Sequence, residues 1–229
     1  MNARGWMSLT GLLGATLAAP VAAAAPAPVA IVEEARGGAI GVAPLDYLTR
    51  GEVVHLGPKD ELVLDYLNSC TREVILGGTV TVGAAGSTVV GGRIEGGKVP
   101  CDDRRRELLG EEAPPTGNAP SLTPLPKPRG QPGETGIGYT LYGRSPLIDL
   151  GGPGQLTIER LDQPEEPIKL EVAASDLLRA RFYDFAKTRR SLTPGGVYRV
   201  TFGGRSIVFF VDALAQAGDT PLLGRLLRF

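Results

Sequence analysis

Histidine occurs once in the 229 residues, at His55, tryptophan once, at Trp6, and cysteine twice, at Cys70 and Cys101. These scarcities set the first exclusions. A Ser-His-Asp triad could draw only on His55, which sits between Val54 and Leu56 in a strand-like run and is expected to face away from both. A zinc centre built on several imidazoles or on a C-x-x-C pair cannot be assembled. There is no G-x-S-x-G elbow, because Gly204-Arg205-Ser206 runs on into Ile207-Val208, and no S-x-x-K pair. No Lys-Ser/Thr follows a glycine cradle, so the glycines are expected to serve turns and bulges rather than phosphates. No catalytic residue, cofactor or metal ligand is therefore assigned.

Charge of one sign is also lacking. Lys and Arg number 24 against 25 Asp and Glu, a formal net charge of −1. The densest cationic run, Arg104-Arg105-Arg106, is bracketed by Asp102, Asp103 and Glu107, which reads as a solvated face. Nucleic acid would need a basic stripe, so it is not an expected partner. The acidic pairs Asp102-Asp103, Glu111-Glu112 and Glu165-Glu166 show no metal-ligand spacing. A carboxylate pair for glycoside cleavage is defined by distance in space, on which linear spacing is silent.

Long apolar runs are absent but for one. Arg4 precedes an apolar stretch over residues 7–25 that ends in small residues, with Ala22 and Ala24 at the −3 and −1 positions of a cut after Ala24. A positive start, a short apolar core and an A-x-A end form a secretory signal. Pro20 and the many glycines and alanines make the stretch weak as a membrane span. Residues 1–24 are thus expected to be a cleaved leader, with no transmembrane helix in the mature chain. Export to an oxidising space favours a Cys70–Cys101 disulfide. Neither cysteine has neighbours that would hold a reactive thiolate. Closing that loop is worth about 3–4 kcal/mol on the chain-entropy view.

What the chain does have is glycine, 32 residues, and proline, 19. Short β-branched runs between them predict a mainly β fold. Residues 29–107 read as a first module, with strands expected at 29–32, 51–57, 61–67, 71–76 and 79–82 and within 88–99. Residues 108–138 carry Pro114-Pro115, Pro120, Pro124, Pro126, Pro128 and Pro132 and few large apolar side chains, which predicts an extended linker. Residues 139–229 read as a second module. In it, 155–161 and 167–172 alternate as strands, and a short helix is expected with Ser175 as cap and Leu177, Leu178, Phe182 and Phe185 at near-helical spacing. The clearest hairpin joins 197–202 to 207–211 through Gly203-Gly204. The predicted fold is two small β-sandwich or barrel-like modules on a Pro-rich linker.

The run GEVVHLGPKDELVLDYLNSCTREVILGGTVTVG, residues 51–83, resembles the FecR-like periplasmic domain. The likeness lies in a Gly-acid step into an apolar strand, a turn, an alternating strand and a closing Gly. Asn68-Ser69-Cys70 stands where that family usually has an acid-Gly-Ser turn. LTPGGVYRVTFGGRSIVFFV, residues 192–211, is similar to immunoglobulin-like sandwich domains, where a Pro-Gly turn leads into a Tyr-bearing late strand. The first resemblance implies a non-catalytic sensing or adaptor role at the cell envelope and carries over no binding residues. The expected function is an exported periplasmic binding, sensing or scaffold protein with a protein or envelope partner. A secreted hydrolase with a site invisible in sequence and a structural envelope component are the alternatives.

Overall fold

The computed structural model describes residues 26–38, 40–102 and 138–229. The leader with Ala24, most of the expected linker, Asp103, Arg104 to Arg106, Glu107 and Glu111-Glu112 lie outside the described residues.

The first half is one curled sheet. Strand β1 (Pro28–Arg36) pairs with the short β2 (Tyr47–Thr49) and with β3 (Val53–Tyr66), and β3 pairs with β4 (Thr71–Val82), all antiparallel. Strands β5 (Ser87–Val90) and β6 (Arg93–Lys98) both pair with β4 and lie end to end along it. The segments expected at 51–57 and 61–67 are one strand, and so are those at 71–76 and 79–82. The apparent breaks are bulges rather than ends. Leu56 pairs with Gly78 and Glu61 with Leu76, so Gly57 to Asp60 loop out opposite Gly77. Pro58 is tolerated there because the ladder is already interrupted. The Asp60 carboxylate accepts the Gly57 N–H at 2.8 Å and the Gly38 N–H at 3.3 Å, which holds the bulge.

The next strand breaks at the same level. Thr79 pairs with Val90 and Leu76 with Arg93, setting Gly77-Gly78 against Gly91-Gly92. A Cβ on Gly92 would lie 2.0 Å from the Gly77 carbonyl oxygen, and one on Gly78 would lie 2.6 Å from the Val90 oxygen. At Gly78 and Gly92 only backbone fits, and Gly77, Gly78 and Gly91 take positive φ. This seam lets the sheet bend sharply into a half-barrel around Val32, Leu56, Leu62, Leu64, Tyr66, Ile75 and Val80.

The second half holds two sheets. The larger runs β10 (Ile168–Val172), β9 (Gly154–Arg160), β12 (Val197–Phe202), β13 (Arg205–Gln216), β7 (Tyr139–Gly143), and the smaller β11 (Phe182–Asp184), β8 (Leu147–Asp149), β14 (Leu226–Arg228). Pairing is antiparallel except where β7 joins β13 and β14 joins β8. Both sheets feed one core, in which Ile148, Tyr183 and Leu227 of the smaller meet Leu156, Ile158, Val200 and Phe209 of the larger. The expected hairpin is present: Phe202 pairs with Arg205, and Gly203 and Gly204 have φ of 55° and 77°, as a two-residue primed turn requires.

The short helix expected after Ser175 is corrected. Residues Ala174–Asp176 make a single 3₁₀ turn, with the Asp176 side chain accepting the Ala173 N–H at 2.9 Å. Arg179 and Ala180 then take φ of 54° and 53°, which ends any helix. Phe182 to Asp184 pair with β8 instead. The apolar spacing misleads because Phe182 and Phe185 enter different cores. Tertiary packing overrides the local pattern.

Candidate functional site at the junction of the two halves

Chemistry-bearing side chains gather where the halves meet. A third apolar cluster joins them: Ile31, Leu67, Cys70 and Cys101 from the first half pack with Leu147, Phe182, Leu222, Leu223 and Leu226 from the second. The placement follows from strand period. In β3, Leu62, Leu64 and Tyr66 point into the half-barrel, so Asp65 and then Leu67 point out of its convex face, toward the second half.

Cys70 and Cys101 form the expected disulfide, with Cα atoms 5.7 Å apart. It ties the β3–β4 turn to the chain just past β6, and the Val99 N–H donates to the Cys70 carbonyl at 3.0 Å beside it. Asp102 follows, its carboxylate accepting the Thr140 N–H of β7 at 2.9 Å. The one sequence-predicted pair that forms is therefore part of this junction.

Tyr47 of β2 is the second element. Its hydroxyl donates to Asp149 Oδ2 at 2.8 Å, and the Arg181 Nε donates to Asp149 Oδ1 at 2.6 Å. The Arg228 and Arg181 guanidinium carbons lie 4.8 and 5.0 Å from the Tyr47 ring centroid. Burial lifts the Tyr47 phenol well above its ordinary range, with Arg228 opposing and Asp149 reinforcing, so it stays a donor at any physiological pH. Arg179 pairs with Asp46 next door.

The third element is a pair of carboxyls. Asp65 has no solvent exposure. Glu33 is the extra residue of a bulge in β1, because Val32 pairs with Leu64 and Glu34 with Val63. The bulge brings Glu33 to the face of Asp65. Arg72, the Cα partner of Asp65 on β4, lies 3.1 Å from Glu33 Oε2 as an ion pair without hydrogen-bond alignment. Neither Asp65 oxygen meets a donor that completes a hydrogen bond. Burial and then the Glu33 charge push the Asp65 carboxyl up to about 8, against Arg72 and the Leu223 backbone.

The remaining sequence candidates lie elsewhere. His55 is exposed, flanked by buried Val54 and Leu56 as expected, with Nδ1 3.3 Å from Thr79 Oγ1. Glu165 pairs with Arg160 on the rim of the larger sheet. An open groove of about 380 Å³ at the hairpin end is lined by Pro153, Gln155, Thr157, Thr201 and Phe202 with glycines, and no titratable side chain lines it. Among the described residues no three His, Cys, Asp or Glu side chains gather as a metal site, and no helix is long and apolar enough to cross a membrane.

The chain matches no protein-family model, no curated protein and no solved structure.

Sequence reasoning missed Tyr47, Asp149, Glu33 and Asp65. For Asp65 a signal existed: in VLDYL it is a charge set between Val63 and Leu67 on one strand face. A charge among apolar residues at period two marks a buried polar group in need of a partner.

Proposed function

We propose that this chain is a non-catalytic exported protein that serves as a binding or scaffold module at the cell envelope, taking its partner by strand addition along β5 and β6. The carrying observation is that edge. Both strands pair only with β4, and every residue of β6 is exposed. Their outer side offers unpaired backbone donors and acceptors, flanked by Val90 at 70% exposure and Ile94 at 38%. The edge is held in place from behind. Lys98 Nζ donates to Thr71 Oγ1 at 3.1 Å, and the disulfide fixes the chain just beyond it. Such rigidity lowers the ordering cost of recruiting a partner strand.

Two observations support the finer reading of the halves. The FecR-like run of residues 51–83 forms two successive antiparallel strands and the turn between them. In the second half, Tyr198 at the start of its strand accepts the Thr193 N–H at 3.0 Å and donates to the Thr193 carbonyl at 3.3 Å. A tyrosine bonding back to backbone a few residues upstream at a strand corner is a feature of immunoglobulin-like sandwiches. The disulfide supports export, since such bonds persist in oxidising compartments.

Photo-crosslinking in intact cells tests the proposal. Probes replace Val90 and Glu95 at the edge, and Gln163, in the exposed loop after β9, is the control. The proposal expects one envelope protein captured from the first two positions and not the third. Equal capture from all three, no capture from the edge, or recovery of the chain from the cytosol with its leader intact overturns it.

A further inference from the structure

Asp65 and Glu33 are unlike any other acidic pair in the described structure. Surface carboxylates here find cations or backbone N–H groups in water, as Glu61 does with Arg36 and Asp60 with Gly57. Asp65 sits at zero exposure, among Ile31 and Leu67 of its own half and beneath Leu223 of the other. Three groups face it. Glu33 comes from β1, Arg72 from β4 and the backbone of Leu223 from the 3₁₀ turn Leu222–Gly224 of the second half. One guanidinium cannot neutralise two carboxylates, and no side-chain donor completes a hydrogen bond to either Asp65 oxygen, which leaves the Leu223 backbone and Arg72 as the groups that favour its ionised form. A single proton on Asp65 removes the excess charge and engages one of its two oxygens. It supplies a donor toward Glu33 and leaves Glu33 and Arg72 as a neutral pair.

We propose that Asp65 and Glu33 hold one proton between them at the junction, and that this shared proton makes docking of the second half onto the first dependent on pH. Losing the proton places an uncompensated negative charge under Leu223, inside the cluster that joins the halves. Separation of the halves returns Asp65 to water, where it ionises in the ordinary range.

The sign follows from linkage. The docked form holds a proton that the separated form has lost, over the interval from the ordinary carboxylate range to about 8. Docking therefore weakens as pH rises through that interval, by up to about tenfold per pH unit for one proton. It levels off above, where both forms are ionised, and below, where both are protonated.

The test uses the oxidised full chain with ¹³C-labelled aspartate carboxyls, titrated by NMR, together with hydrogen exchange of the Thr140 amide, which bonds across to Asp102. The proposal expects the Asp65 carboxyl to titrate near 8. Thr140 protection, corrected for intrinsic exchange, should fall toward tenfold per unit between about pH 5 and about pH 8. In Asp65→Asn that dependence disappears. Should Asp65→Asn fail to fold, the wild-type carboxyl titration stands alone, and Glu33→Gln should move it to lower pH. An Asp65 titration in the ordinary carboxylate range, or the same Thr140 profile in Asp65→Asn, overturns the proposal.

Discussion

The two halves of this protein solve the same problem with different materials. The first half folds around an aliphatic core in which Tyr66 is the one ring, and its sheet is bent at a seam where only glycine fits. The second half has no cysteine and fills its core with Tyr183, Phe185, Tyr198, Phe202 and Phe209. It also buries Arg225 against Asp184 at 2.7 Å, both nearly inaccessible to water. Aromatic rings bury roughly 150–250 Å² each, so a few of them close a small core. The aliphatic half-barrel instead carries the disulfide, which stabilises it by restricting the unfolded chain. One half is held by covalent closure and backbone fit, the other by rings and a buried ion pair.

That contrast can be broken in several places. The largest effect is expected at Arg225. Arg225→Met leaves Asp184 buried and charged, which costs about 3–5 kcal/mol, measured by denaturant unfolding. A loss under about 1 kcal/mol would show that the aromatic core of the second half does not rely on the pair. Next come Cys70→Ser and Cys101→Ser, each expected to lower stability by about 3–4 kcal/mol under oxidising conditions. The reductant should do the same to the parent and nothing further to the variants. Free thiols titrating in the native protein would remove the staple from the comparison.

Gly92→Ala follows, at about 2–3 kcal/mol, because its Cβ would collide with the Gly77 carbonyl. Gly97→Ala, with open space around it, is the matched control and should move the melting temperature little. Tyr47→Phe is the smallest, about 1–2 kcal/mol. It removes the bond to Asp149 while keeping the ring between Arg181 and Arg228. Double-mutant cycles of Tyr47→Phe with Arg181→Ala would separate the hydrogen bond from the ring contact.

Much of this was legible because strands announce themselves at period two. The alternation around Val54 and Leu56, the Gly203-Gly204 hairpin and the Cys70–Cys101 bridge were all expected from local pattern or from the export signal read in the sequence. What the chain hides depends on register. Gly77-Gly78 reads as a strand end, and only its alignment with Gly57 and Gly91-Gly92 reveals a bend shared by neighbouring strands. Phe182 and Phe185 have helical spacing but serve two cores on opposite sides of a short strand. The junction was least legible. Tyr47 meets Asp149 across 102 positions, and Glu33 reaches Asp65 only because of a one-residue bulge. Long-range pairs of this kind leave a trace in sequence only as a charge in an apolar run.

The central claim is that the unlike halves are one cooperative structure because they share the cluster around Leu67, Phe182 and Leu223. Differential scanning calorimetry of the oxidised full chain at about pH 6 tests it most directly. The account predicts a single transition whose calorimetric and van't Hoff enthalpies agree. Two separable transitions at that pH, one moved by reductant and the other by Arg225→Met, would contradict it.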